Sequence, residues 1–384
     1  MDIRATQRRL ALALGTSQVL AWASTFYIPA TMIGLASAEL GVSRTWLLGG
    51  FSWSLLVSAM CAPRIGRFID AHGGKPVLVG GALVTAVGLV ALSLAGSLLH
   101  WYVAWTVLGI GMALGLYDTA FATIGRILGR DARPAIVGVT LMGGFASSVG
   151  FPTGTWLAAS FGWRASVLAY AAMQIAVILP IILAFIPRHP GPPHEAAARA
   201  APAPGAMTGR TAFALLAIFF TSRAGIGALI SVHALVLLKG MGLSTDHAVL
   251  VASIIGPAQV GSRLIDYRFG RGLSPVTSAW LGAALLPMGV AAMLGGAPAA
   301  VFALAYGLSN GILTINRGTL PMHVFGPAGY AALLGRLALP SLLAQAALPT
   351  LAAPLIDAMP ASWTFAALGA LSLAAFACLL PLKR

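Results

Sequence analysis

Few side chains in this sequence carry charge, and two arginines stand where charge is costly. Arg223 falls about 20 Å along the apolar stretch that begins near residue 210. An arginine at the centre of a bilayer-spanning helix costs at least about 2.5–3.5 kcal/mol. Its guanidinium is always charged and presents a planar fork that matches a carboxylate. Arg223 is therefore a candidate anchor for an anionic group; the alternative is a structural pair with Asp118 or with helix C-terminal carbonyls. Arg336 stands a few residues into another apolar stretch. It is a second candidate anion ligand, a partner for Asp70 or Asp266, or an arginine whose stem snorkels to the surface. Asp118 is the one acid well inside an apolar stretch. It is a candidate proton carrier, and equally a fixed counter-ion for Arg126 or Arg223.

Gln18 and Trp22 are four residues apart and share a helix face. With Tyr27 they are candidate substrate contacts; otherwise Trp22 is packing and Tyr27 an interfacial aromatic. Asn310, Thr314, Asn316 and Gln345 are weaker candidates for the same role, since polar groups in apolar helices also bridge neighbours. His233, Met241 and His247 straddle a helix end and a loop with no acid or cysteine beside them. No metal site and no cofactor are expected.

The elements that must position these residues follow from composition. The chain has 384 residues, 59% apolar and only 8% charged. A soluble domain averages about 45–50% apolar and about 25% charged, so this sequence cannot cover a water-facing surface. Its apolar residues lie in runs of 18 or more, long enough to cross a hydrocarbon core of roughly 30 Å. Spans are expected at 10–36, 46–63, 76–97, 101–124, 135–159 and 165–187, then at 210–238, 247–265, 275–296, 299–316, 330–355 and 363–382. The first run is too long for a signal-peptide core of about 7–15 residues and reads as a retained span. The stretch 188–209 carries five prolines without apolar periodicity and reads as a linker. The expected fold is an all-α membrane protein: twelve transmembrane helices in two pseudo-symmetric six-helix halves, 1–187 and 210–384, joined by a cytoplasmic linker.

The formal charge is +14, from 23 Lys and Arg against 9 Asp and Glu. The basic residues sit singly at the ends of apolar runs, which points to membrane orientation and not to nucleic acid. With the N-terminus inside, only Arg44, Arg164 and Lys239 fall outside, and Arg223 and Arg336 fall within spans. Both termini are thus expected in the cytoplasm. Cys61 and Cys378 are far apart in apolar spans and give no disulfide framework.

Three pairs of short segments echo each other at corresponding spans: Thr16-Ser17-Gln18 with Thr221-Ser222-Arg223, Gly66–Asp70 with Ser262–Asp266, and Gly115–Asp118 with Gly307–Asn310. Their shared placement indicates a duplicated half. The segment after span 2, Gly66-Arg67-Phe68-Ile69-Asp70-Ala71-His72-Gly73-Gly74-Lys75, resembles the major facilitator superfamily signature Gly-x-Leu-x-Asp-Arg-x-Gly-Arg-Lys. Ala71 and Gly74 replace two of its arginines. Phe161-Gly162-Trp163-Arg164 before span 6 also resembles a recurrent stretch of that family. The resemblance implies alternating access by rocking of the halves, with Gly66, Asp70, Gly73 and Lys75 in a cytoplasmic latch. Read on its own, the segment is a tight polar turn whose glycines allow close approach and whose Asp70 faces a helix dipole. In the fourth span, proton-coupled members of the family carry an arginine four residues before a glycine. Here Trp105 precedes Gly109, so the resemblance does not supply proton coupling at that position.

Two interior arginines and one interior acid suggest a cationic cavity. The end of span 1, Trp22-Ala23-Ser24-Thr25-Phe26-Tyr27, and the second-half arginine resemble the monocarboxylate and oxalate–formate antiporter group. The expected function is secondary transport of a small organic anion such as a monocarboxylate, with a co-transported proton or an exchanged anion as partner, in a bacterial inner membrane. The nearest alternative is efflux of hydrophobic drug-like compounds with Asp118 as proton site. A transport-inactive sensor is an alternative of another class. No nucleophile elbow, zinc-protease helix, paired acidic metal motif or Walker loop is present, which argues against an enzyme or an ATP-driven pump. The oligomeric state does not follow from the sequence.

Overall fold

The computed structural model describes residues 2–187 and 209–382; the expected linker falls almost wholly outside them. All regular structure among the described residues is helical. The first part holds α1 (Ile3–Ala23), α2 (Ile28–Leu40), α3 (Arg44–His72), α4 (Lys75–Ser93), α5 (Leu98–Gly115), α6 (Tyr117–Leu128), α7 (Arg133–Gly143), α8 (Ala146–Met173) and α9 (Leu179–Phe185). The second holds α10 (Gly209–Gly240), α11 (Thr245–Phe269), α12 (Pro275–Leu294), α13 (Ala299–Phe325), α14 (Tyr330–Ala358) and α15 (Ala361–Ala377).

Ten apolar helical runs are long enough to cross a membrane, and one of them, Leu98–Phe185, is 88 residues long. At 1.5 Å per residue it would measure about 130 Å, several times the hydrocarbon core. It folds back at two glycines with left-handed backbone, Gly129 (φ 56°) and Gly162 (φ 77°). Only glycine adopts such angles without strain. The run thus supplies three passes, and the described residues twelve.

Several boundaries differ from expectation. Span 1 is two helices, because Pro29 opens α2 and cannot donate back to the preceding turn. Span 4 breaks at Leu116, whose backbone is extended (φ −86°, ψ −170°). The break in span 5 falls at Gly144-Phe145, while the helix continues through Pro152. The Gly66–Asp70 segment is not a turn: it forms the last turns of α3, and the chain reverses only at Gly73 (φ 82°).

The described residues group into two compact units: residues 2–187 with Pro327–Leu339, and residues 209–326 with 340–382. Each has its own aromatic-centred core. The first gathers Trp101, Trp105, Trp163 and Tyr170 around Leu47 and Met32. The second gathers Phe302, Tyr306 and Phe365 around Leu286 and Val290. At one end of the first unit, Trp163 Nε1 donates to Glu39 at 2.7 Å and Arg164 pairs with the same carboxylate at 2.7 Å. Arg164 also donates to the carbonyls of Ser93 and Ala95, which close the end of α4. The turn at Gly162 aims both side chains and so staples α2, α4 and α8 together.

Candidate functional site

In the first unit Gln18 and Thr119 meet the break between α5 and α6. At Leu116 the carbonyls just before the break lose their usual donors. Gln18, fully buried on α1, supplies one: its Nε2 donates to the Gly115 carbonyl at 2.7 Å. Thr119 Oγ1 donates to Ala113 at 2.8 Å. The Gln18 Oε1 accepts from Trp22 Nε1 at 3.3 Å, so the amide is engaged at both ends and orients the indole. Trp22 is half-buried, with its ring centroid 4.7 Å from that of Phe26 and 5.2 Å from that of Tyr117. Tyr27, also half-buried, lies 4.8 Å from the Phe151 ring. Asp118 occupies the first turn of α6, where the positive end of the helix dipole attracts a carboxylate, and it interacts electrostatically with Tyr330.

Asp70 caps a helix distant in sequence. Its carboxylate accepts from the backbone N–H groups of Ala331 at 3.1 Å and Ala332 at 2.7 Å, in the first turn of α14. These are two of the four N–H groups that a helix start leaves without partners. Gly66 makes the approach possible, since a Cβ there would overlap the Ala331 carbonyl. Gly335 does the same from the other side, against Ala62. Arg126 Nε donates to the Asp70 backbone carbonyl at 3.3 Å, which brings its charge beside the carboxylate. Sequence reading missed this role of Arg126, because nothing local links residues 56 positions apart. Lys75 is buried, and its Nζ donates to the Leu183 carbonyl at 2.6 Å in the last turn of α9. Arg336 is exposed on the part of α14 that belongs to the first unit.

In the second unit Arg223 is only 8% exposed, near the middle of α10. Its Nε and Nη1 are enclosed and have no hydrogen-bond partner among the described residues. The group that acts on it electrostatically is the buried Tyr306 on α13. Tyr306 was absent from the sequence-derived candidates, although it precedes Gly307 in a repeat segment. Asn310 is half-buried one turn further along α13. Asn316 is buried and donates to Ser278 Oγ and to the Ile312 carbonyl, both at 3.2 Å, as a bridge between α12 and α13. His233 Nε2 lies 3.0 Å from the Pro349 carbonyl. A buried cation with two idle donors costs several kcal/mol unless an anion or acceptor reaches it.

The profile of the Major Facilitator Superfamily matches residues 11–333. The chain belongs to the major facilitator superfamily. It is accordingly a multi-pass membrane protein of a transporter family. Human "Monocarboxylate transporter 11" is 30% identical over 279 residues, 67% of this chain and 58% of that protein. The chain thus spans little more than half of that relative's length. "Multidrug resistance protein MdtL" of Salmonella heidelberg is 26% identical over 249 residues, 62% of each chain. Among solved structures, the "human organic anion transporter MFSD10 (TETRAN)" superposes with a TM-score of 0.75 at 18% identity, covering 97% of this chain and 99% of that one. This last likeness is one of fold.

Proposed function

We propose that this superfamily member is a secondary transporter of a small organic anion such as a monocarboxylate, working by alternating access. The observation that carries the reading is Arg223: a buried guanidinium with Nε and Nη1 unpaired at mid-helix. A carboxylate supplies both the charge and the two acceptors that this fork lacks. Tyr306 stands beside it, and Asn310 lies on the same helix. The half-buried rings of Trp22 and Tyr27 suit the apolar part of an organic anion, and Gln18 acts through Trp22. Arg336 is a second anion contact in this reading. Similarity to a monocarboxylate transporter supports the same substrate class.

In this reading Asp118 is the coupling residue, and Gly66, Asp70, Gly73 and Lys75 form the cytoplasmic latch. Both termini lie in the cytoplasm of a cell whose inner membrane holds the protein. The capping of α14 by Asp70 supports the latch, because breaking it strips two N–H groups of their acceptors. A second reading, efflux of hydrophobic compounds with Asp118 as proton site, draws support from the similarity to MdtL.

A thermal-shift screen of the purified protein separates the two. A ligand that binds only the folded state raises the melting temperature by mass action. Small carboxylates are expected to raise it for the wild type and not for Arg223→Gln. Stabilisation by lipophilic cations alone, equal in both proteins, would overturn the anion reading.

A further inference from the structure

Three interruptions of the helices in the first unit come together. α1 gives way to α2 across residues 24–27, α5 to α6 at Leu116, and α7 to α8 at Gly144-Phe145. The Trp22 ring, just before the first break, lies 5.2 Å from that of Tyr117, just after the second. The Tyr117 hydroxyl packs against Gly143, just before the third, where a Cβ would overlap it. Discontinuous membrane helices typically form the walls of a transporter's substrate site.

Six aromatic rings are linked around this junction: Tyr117, Trp22, Phe26, Phe51, Tyr27 and Phe151. Neighbouring centroids are 4.7–5.8 Å apart and the planes cross at 46–86°. Tilted rings present edges as well as faces. Five of the six are half-buried, and Phe151 is 42% exposed. The rings of the second unit's core differ: Phe302, Tyr306 and Phe365 are all buried, as packing alone requires. Behind the six lies a fully buried layer. Tyr117 stacks on Phe121 at 5.2 Å, and Phe51 meets Trp105 edge-on at 5.6 Å. Gln18 holds the indole of Trp22. A patch fixed from behind loses little freedom when a ligand arrives. Its depth also separates it from an interfacial belt, whose aromatics stand at headgroup level. Trp22 lies about 18 Å along the apolar run that begins near residue 10.

The shape of the patch selects its occupant. An aromatic ring placed against tilted rings gains edge-to-face attraction beyond the area it buries. A saturated ring of the same size gains the buried area alone.

We infer that the cargo carries an aromatic ring, seated against Trp22, Phe26 and Tyr117, so that the substrate class is aromatic monocarboxylates. The inference rests on the anion reading of Arg223 and adds what lies beyond the carboxylate.

Phenylacetate and cyclohexylacetate share a carbon skeleton and a carboxylate and differ in the unsaturation of the ring. Their dissociation constants, from the concentration dependence of the melting temperature, are the test. Burial alone favours cyclohexylacetate, the more apolar of the two. The wild type is expected to bind phenylacetate roughly three- to tenfold tighter, the equivalent of one further aromatic contact. Trp22→Leu should bring the two constants together, and Phe26→Leu carries the same arm should Trp22→Leu fail to fold. Arg223→Gln should lose the response to both acids. Equal constants in the wild type, or a preference unchanged in both ring variants, would overturn the inference and leave the anion reading standing. No response to either acid would remove the anion reading and this inference with it. Benzyltrimethylammonium carries the same ring with the opposite charge. Stabilisation by it alone, lost in Trp22→Leu, would assign the patch to a cation and likewise overturn the inference.

Discussion

Gln18 and Arg223 each end one of the two echoed Thr-Ser segments, and their surroundings differ. Opposite Gln18, the break at Leu116 frees the Gly115 carbonyl, and the amide takes it. Opposite Arg223, α13 runs without a break past Tyr306, so the carbonyls there are occupied within the helix. Arg223 therefore keeps two idle donors. Gln18→Leu should lower stability by about 1–3 kcal/mol, the cost of a buried acceptor left unpaired, as read by chemical denaturation in detergent. Arg223→Met should do the opposite. Replacing a buried, unpaired cation by an apolar side chain is expected to raise the ligand-free melting temperature while removing the response to carboxylates. A melting temperature that falls in Arg223→Met would mark the arginine as structural. The depth of Arg223 was legible in the sequence, because charge stands out in an apolar run. Its missing partner was not. Hydropathy does not register a single extended residue such as Leu116, and that residue decides which carbonyls are free.

At the scale of elements, the joint between α3 and the start of α14 rests on contacts that sequence spacing half revealed. Asp70 was recognised as an acid that would face a helix dipole, and it caps α14 through Ala331 and Ala332. The segment around it was expected to turn, yet it is helical to His72. Gly66 reads like a turn residue because glycine serves two purposes; here it admits the Ala331 backbone and leaves the helix intact. Asp70→Ala should destabilise the protein by about 0.5–2 kcal/mol, the range for a lost helix cap, with Asp70→Asn in between. Gly66→Ala should lower the melting temperature as well, since the added methyl meets a carbonyl that cannot move without shifting α14. A Gly66→Ala protein as stable as the wild type would show that the two helices are not held at that distance. Arg164→Ala is expected to loosen the opposite end of the first unit by freeing the Ser93 and Ala95 carbonyls. Hydrogen exchange confined to the end of α4 would report it.

For the whole molecule, the twelve passes were legible because a bilayer leaves a chain little choice. Backbone groups in hydrocarbon must be satisfied within the segment, so an apolar run of sufficient length becomes a helix. The folding of the 88-residue run into three passes was legible too, from its length and its polar interruptions. The placement of Pro327–Leu339 with the first unit was not, since it depends on contacts such as Asp70 with Ala332 across 262 positions. Twelve passes put both ends of the chain on one side. Reporter fusions before α1 and after α15 should therefore give the same compartment, which the distribution of Lys and Arg predicts to be the cytoplasm. Opposite compartments would contradict the pass count.

The most direct test of the anion reading is counterflow in proteoliposomes. Vesicles preloaded with the carboxylate that best stabilises the wild type are diluted into a trace of the same labelled anion. Transient accumulation of label by the wild type, absent in Arg223→Gln at equal incorporation, is the predicted result. Accumulation that persists undiminished in Arg223→Gln would contradict the assignment of Arg223 as the anion anchor.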